Sequence, residues 1–178
     1  IVDVCGAPGG KSINAALKMS EQGDCGRVIA RDLSDYKVAL IDENIKRLNI
    51  TNIQTQVYDA LDCDESLINK ADIVIADLPC SGLGIIGRKP DIKYNASPEK
   101  LQSLVDLQRD ILKVVSRYVK SGGVLMYSTC TINRAENEDN ADWICKESGF
   151  TKDGEYHQLL PANNSGMDGF FVARLIKS

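Results

Sequence analysis

Cys80 and Cys130 are the side chains best suited to chemistry in this chain. Each closes a short apolar run, IVIADLPC and VLMYSTC, and the two stand 50 positions apart. Runs rich in Val, Ile, Leu or Met and bounded by turn residues read as buried strands. As parallel neighbours, such strands would end at one sheet edge, about 4.8 Å apart. Open α/β sheets bind ligands at that edge. Two thiols facing one crevice suit covalent catalysis, metal binding or a redox pair. A zinc site from Cys5, Cys80 and Cys130 lacks support, because the only histidine is His157 and no C-x-x-C pair is present. No metal is expected.

Carboxylates mark the same edge. Asp32, Asp59 and Asp77 each close a predicted strand. From there a carboxylate can accept from ribose, an amino group or a substrate amine, or it can simply cap a turn. The turn DVCGAPGGKS follows the first strand and opens the first helix. Its glycines let backbone approach a ligand, and the helix start attracts negative charge. Three ligand classes compete. A nucleotide-phosphate loop matches at Gly10-Lys11-Ser12, with Asp77 as a magnesium acid, but Cys5 stands where its first Gly is required. A dinucleotide site needs G-x-G-x-x-G, which is absent. S-adenosylmethionine fits as the third, with its carboxylate at the turn and its ribose on Asp32.

Alternating strands and helices must position these groups. The pattern predicts strands at Ile1–Cys5, Arg27–Asp32, Ile53–Tyr58, Ile73–Asp77 and Val124–Ser128, with two more near Glu155–Leu160 and Phe170–Ile176. Helices are predicted from Lys11 to Gln22, from the cap Ser34 to Leu48, from Ser97-Pro98-Glu99 to Val119, and over Ala135–Ser148. A long polar loop, Ser81–Ala96, carries the basic residues Arg88, Lys89 and Lys93. That cluster is either a solvated loop or a phosphate contact. The order implies an α/β fold, a mostly parallel sheet with helices on both faces.

Composition narrows the partners. The chain of 178 residues is 43% hydrophobic and 26% charged, enough for one domain. Its apolar runs are too short to span a bilayer, so no membrane role is expected. A net charge of −4 excludes a strongly basic nucleic-acid binder. Six cysteines without scaffold-like spacing predict free thiols and a cytoplasmic protein. Cys25, Cys63 and Cys145 read as small buried hydrophobes, Cys5 as an unreactive lining of the turn, Trp143 as core, and His157 as a surface strand residue. Because IVDVC starts inside a strand and Ile1 is not Met, the chain reads as a fragment of a longer protein, with no signal peptide.

Four motifs in order resemble the Sun-type RNA cytosine-5 methyltransferases, most nearly the bacterial ribosomal RNA enzymes. DVCGAPGGKS resembles the family's cofactor loop, DLPCSGLGIIGRKPDIKY its proline-cysteine motif, YSTCTINRAENED its T-C-S and E-N-E signature, and GMDGFFVARL its last strand. The departures are Gly6 for Ala, Leu78 before Pro79, and Thr131 for Ser. The resemblance implies a Rossmann-like class I methyltransferase sheet with an antiparallel C-terminal strand, residues 1–178 forming the catalytic domain. It implies S-adenosylmethionine held by Cys5, Gly6, Ala7, Pro8, Gly9, Gly10, Lys11, Asp32, Asp59 and Asp77. It assigns attack on the base to Cys130, release to Cys80 and base contact to Asp77. Pro79 would stiffen the loop that presents Cys80. Lys11 would favour the Cys130 thiolate or pair with Asp77. RNA would be the partner, met by Arg88, Lys89 and Lys93, and the enzyme would be monomeric. The competing readings are a P-loop-like nucleotide hydrolase and a catalytically silent RNA-binding assembly factor on the same fold.

Overall fold

Side-chain alternation decides which face of each strand is buried. A computed structural model describes residues 1–162 and 166–178. In it β4 (Ala71–Asp77) points Val74 and Ala76 into a dry layer. Leu125 and Tyr127 of β5 (Val119–Thr129) and Ala173 and Leu175 of β8 (Phe170–Lys177) extend that layer. Ile111, Leu112 and Val115 of α4 (Pro98–Val115) cover it, with Ala141 and Ile144 of α5 (Glu138–Ser148). Each fully buried Leu or Ile there contributes roughly 1.5–3 kcal/mol by leaving water. On the other face, α1 (Gly10–Glu21) buries Ile13 and Ala16, and α2 (Asp35–Arg47) buries Val38 and Ile41. Those helices contact β2 (Val28–Asp32) and β3 (Ile53–Val57).

The sheet runs β3-β2-β1-β4-β5-β8, with β1 at Val2–Asp3. Two short strands, β6 (Phe150–Lys152) and β7 (His157–Leu159), pair with β8. The strands from β1 to β5 are parallel, and β8 is antiparallel to β5. Strand order reverses between β1 and β4, which opens a crevice at their carboxyl ends. The register places Asp77 opposite Ser128 there.

Local chemistry sets the helix starts. Ser34 accepts the Lys37 N–H at 3.4 Å to cap α2, and Ser97 accepts the Lys100 N–H at 3.3 Å to cap α4. Each such cap stabilises by about 1 kcal/mol. Helix α1 has no side-chain cap. It starts from Gly9, whose φ of 107° is a left-handed conformation that suits glycine.

Several boundaries differ from those the sequence predicts. Helix α4 stops at Val115 and a tight turn over Ser116–Tyr118 leads into β5. Strand β5 begins at Val119, passing through Gly122 at a φ of 71° where the register against β4 shifts. That bulge explains why the double glycine reads as a strand boundary. The α5 segment enters by a 3₁₀ turn at Arg134–Glu136 rather than as α-helix from Ala135. Strand β6 goes unpredicted because three residues hold no readable alternation. The expected loop Ser81–Ala96 is instead folded, with a 3₁₀ turn at Leu83–Ile85 and a short helix α3 (Ile92–Asn95).

Candidate active site

The Gly-rich turn is built by backbone and by one carboxylate. The Gly6 N–H donates to the Arg31 carbonyl at 2.7 Å and the Gly9 N–H to the Gly6 carbonyl at 2.6 Å. Asp32, only 4% exposed, accepts the Ala7 N–H on Oδ2 at 3.0 Å. Its Oδ1 accepts the Leu33 N–H at 2.8 Å and meets Lys37 Nζ at 3.0 Å. Since a carboxylate oxygen has two acceptor positions, Oδ2 keeps one open. Asp59 is half-buried and accepts the Leu61 N–H at 2.9 Å.

A cavity of about 300 Å³ brings the predicted groups together: Cys5, Ala7, Asp32, Asp59, Asp77, Cys80 and Cys130 all line it. Gly10 and Lys11 line the adjoining cavity of about 360 Å³, against Ile75, Met126, Phe170 and Val172. A larger cavity, about 730 Å³, lies by Ile1, Arg27, Ala71 and Asp72, where strands begin rather than end. It holds no thiol, and we place the chemistry at the 300 Å³ crevice.

Each oxygen of Asp77 has one partner and keeps a second acceptor position. Lys11 Nζ reaches its Oδ2 at 2.6 Å and Ser128 Oγ donates to its Oδ1 at 2.7 Å. Lys11 therefore neutralises Asp77. The two sulfurs of Cys80 and Cys130 lie 3.1 Å apart, and the Cys130 N–H donates to Cys80 Sγ at 3.3 Å. The Cys80 thiol, bonding to the Cys130 sulfur, brings Cys130 down to about 7. That contact, and then burial, push Cys80 far up. The field favouring a Cys130 thiolate thus comes from Cys80 and not from Lys11. Burial raises the Cys5 thiol to about 12, with Asp32 and Asp3 adding to the effect, so Cys5 stays neutral.

Two acids lie inside the quoted motifs without a role assigned to them there. Asp3 ends β1 under the turn, accepts from Ser12 Oγ at 2.6 Å on one oxygen, and leaves the other buried without a partner. Its position at a strand end, like that of Asp32 and Asp77, was the available signal. Glu136 lies 0% exposed beneath the thiols, and nothing local in the sequence marks it as buried.

Burial lifts the Asp3 carboxyl to about 6. The folded state then binds its proton more tightly than the unfolded chain, whose carboxyl titrates near ~3.9. Stability should fall as pH rises from about 4 to about 6, by a total on the order of 3 kcal/mol from this group. Asp3→Asn should remove most of that slope in urea unfolding at pH 4.5 and pH 7. A slope unchanged by the substitution would show that another group carries it.

Other expectations resolve singly. Arg88, Lys89 and Lys93 are exposed and none lines the crevice. Arg88 pairs with Asp168 at 3.0 Å, and Lys93 Nζ stands 4.7 Å from the Tyr94 ring centre. Cys25 is exposed rather than buried, while Cys63 and Cys145 are half-buried against the core. Trp143 sits at the core edge, flanked by Arg109 and Lys113. His157 is an exposed residue of β7. Among the described residues, no group of three His, Cys, Asp or Glu is placed to hold a metal ion. None of the described helices is long and apolar enough to cross a membrane.

Known proteins resemble this chain in sequence and fold. A family described as 16S rRNA methyltransferase RsmB/F matches residues 1–176. The chain is 37% identical over 196 residues to a Bacillus subtilis protein named "Probable ribosomal RNA small subunit methyltransferase B", covering 99% of this chain and 43% of the relative. The crystal structure of PH0851 superposes with a TM-score of 0.89 at 31% identity, over 99% of this chain and 42% of that one. The crystal structure of NSun6 from Pyrococcus horikoshii, solved with SFG, gives a TM-score of 0.82 at 26% identity, over 99% and 47%. The chain thus spans less than half the length of each of these three relatives.

Proposed function

The chain belongs to the 16S rRNA methyltransferase RsmB/F family, and from that premise we propose that residues 1–178 are the catalytic domain of an enzyme that methylates carbon 5 of a cytosine in ribosomal RNA. The observation that carries the reading is the sulfur pair, 3.1 Å apart at the carboxyl ends of two adjacent parallel strands.

The crevice suits S-adenosylmethionine. Asp32 Oδ2 offers an open acceptor, Asp59 just past β3 and Asp77 at the end of β4 line the same crevice, and the turn Cys5–Lys11 enters it at Cys5 and Ala7. Bound there, the cofactor supplies an electrophilic methyl on a positively charged sulfur.

Carbon 5 of cytosine is a weak nucleophile. Addition of the Cys130 thiolate to carbon 6 makes the ring an enamine and carbon 5 reactive. Cys80, protonated beside it, steadies that thiolate until the base arrives. After carbon 5 gains its methyl, it must lose its proton, and the carbon 6–sulfur bond must break to return Cys130 as thiolate. Bonding of Cys130 to carbon 6 removes the anion that holds the Cys80 proton; Cys80 then releases that proton to solvent and, as thiolate, takes the one from carbon 5. Asp77, held by Lys11 and Ser128, meets the amino edge of the base and offsets charge as the adduct forms. Arg88, Lys89 and Lys93 supply phosphate contacts beside the crevice.

The test is transfer of labelled methyl to small-subunit RNA by the full-length protein, with the product identified as 5-methylcytosine. ATP hydrolysis without methyl transfer, or RNA binding without either, would overturn the reading. Asp32→Ala should weaken S-adenosylmethionine binding by about 1.5–3 kcal/mol, because the ribose hydroxyls lose a charged acceptor and the turn loses its tie to β2. Calorimetry giving equal affinities would remove Asp32 from the cofactor site.

A further inference from the structure

Beneath the two sulfurs lies a buried polar layer that the reaction as described does not use. Glu136 is its centre. Its Oε2 accepts the Ser81 N–H at 2.9 Å and Gln108 Nε2 at 3.0 Å, and its Oε1 accepts Asn133 Nδ2 at 2.9 Å. Gln108, itself 0% exposed, also donates to the Pro79 carbonyl at 2.9 Å and accepts from Asn140 Nδ2 at 2.8 Å. Ser81 Oγ meets Thr131 Oγ1 at 2.7 Å. The neighbours of Cys80 on both sides, Pro79 and Ser81, are thereby tied to one carboxylate, and Thr131 after Cys130 is tied to Ser81.

Charge alone gives no reason for a carboxylate here. No cation among the described residues pairs with Glu136. Its negative charge opposes a thiolate on Cys130. A buried carboxylate without a cation is expensive unless several hydrogen bonds satisfy it. Glu136 takes three, each from a different segment: the loop after β4, helix α4, and the turn after β5. A glutamine has one acceptor oxygen and would face a donor with a donor.

We infer that Glu136 is a positioning residue that sets the separation of the Cys80 and Cys130 sulfurs. For its effect on turnover this rests on the proposed reaction; for its effect on the thiols it does not. The charged or titratable groups facing the pair are Asp77 from β4, its partner Lys11 from α1, Tyr127 from β5, and Glu136 itself, with Cys5, Asp32, Lys37, Tyr58 and Asp59 lining the same crevice.

The two roles open to Glu136 predict opposite signs. If it only contributes charge, Glu136→Gln removes an opposing negative group, and Cys130 should ionise at lower pH. If it sets position, the sulfurs part, the Cys80 bond to Cys130 is lost, and ionisation should move up by about one pH unit, toward the ~8.5 of a free thiol. The readout is the pH midpoint of Cys130 alkylation by iodoacetamide, followed site by site by mass spectrometry on the full-length protein. We expect a raised midpoint and a kcat for methyl transfer lowered about 10²-fold, the scale of a 1 Å misplacement. KM for S-adenosylmethionine should stay within about twofold, as Asp32 and the turn are untouched. Should Glu136→Gln fail to fold, Gln108→Met breaks the Pro79 and Glu136 links with an apolar chain of similar size, and should shift the midpoint the same way. A midpoint that falls or stays put overturns the inference, as does an unchanged kcat in an active enzyme. If the wild type transfers no methyl, the proposed reaction fails while the alkylation midpoint still decides the role of Glu136.

Discussion

Cys130→Ala should abolish methyl transfer and form no covalent complex with RNA, whereas Cys80→Ala should accumulate one. The difference follows from the order of bond making. Without a sulfur at position 130, nothing adds to carbon 6, and carbon 5 never becomes nucleophilic; a loss of several orders of magnitude is the scale expected when a nucleophile is removed. Without Cys80, addition and methylation remain open, but the group proposed to take the carbon 5 proton is gone. The ring then stays bonded to Cys130. Cys80→Ala also removes the thiol that holds Cys130 near a pKa of about 7, so addition should slow at neutral pH and recover at higher pH. The measurement is denaturing electrophoresis of full-length protein incubated with RNA and S-adenosylmethionine, at pH 7 and pH 9. An adduct in Cys130→Ala but not in Cys80→Ala would exchange the roles. Methylation intact in both variants would sink a covalent mechanism for this chain.

What could be read before the structure has a common physical basis. Asp32, Asp77, Cys80 and Cys130 each follow a short apolar run, and in a parallel sheet every such run ends at the same edge. A local pattern repeated along the chain therefore reports a shared location, and the crevice lined by these four bears that out. The layer beneath has no such pattern. Glu136 stands 55 residues from Ser81 and 28 from Gln108, so its bonds exist only once α4 and the turn after β5 are packed. In sequence it is the first acid of the E-N-E signature, which marks it as part of a motif but not as buried. The source of the Cys130 shift was illegible for a related reason. Lys11 and Cys130 share the edge, but Asp77 lies within 2.6 Å of the lysine and claims it. Strand β5 was read short because Gly122-Gly123 signals a break, while the actual backbone passes through a bulge and stays paired with β4. The loop Ser81–Ala96 offers no apolar period; it is tied down at Ser81 and, among its glycines, at Gly84.

One of those glycines should be among the least replaceable residues in the chain. Gly84 donates its N–H to the Cys130 carbonyl at 3.1 Å and accepts the Gly169 N–H at 2.7 Å, clamping the loop between Cys130 and the start of β8. A β-carbon at Gly84 would lie 2.6 Å from the Gly169 carbonyl oxygen and 2.7 Å from that of Cys130. Both neighbours are backbone, so neither can rotate aside. Gly84→Ala must push the loop off, lose both hydrogen bonds, and drag the Cys130 peptide. Overpacking of this kind costs about 1–3 kcal/mol of stability. The larger effect should fall on turnover, about 10²-fold in kcat, because the displaced peptide carries a reacting sulfur. Cofactor affinity should hardly change, as Gly84 does not line the crevice. Gly87, three residues on, supplies the control. Nothing lies within 4 Å of the β-carbon it would gain, so Gly87→Ala should match the wild type. Urea unfolding, calorimetry with S-adenosylmethionine and methyl transfer, measured on both variants, separate these effects. If Gly84→Ala behaves like Gly87→Ala in all three, the loop is not clamped through Gly84, and the Cys130 peptide must be held by other contacts.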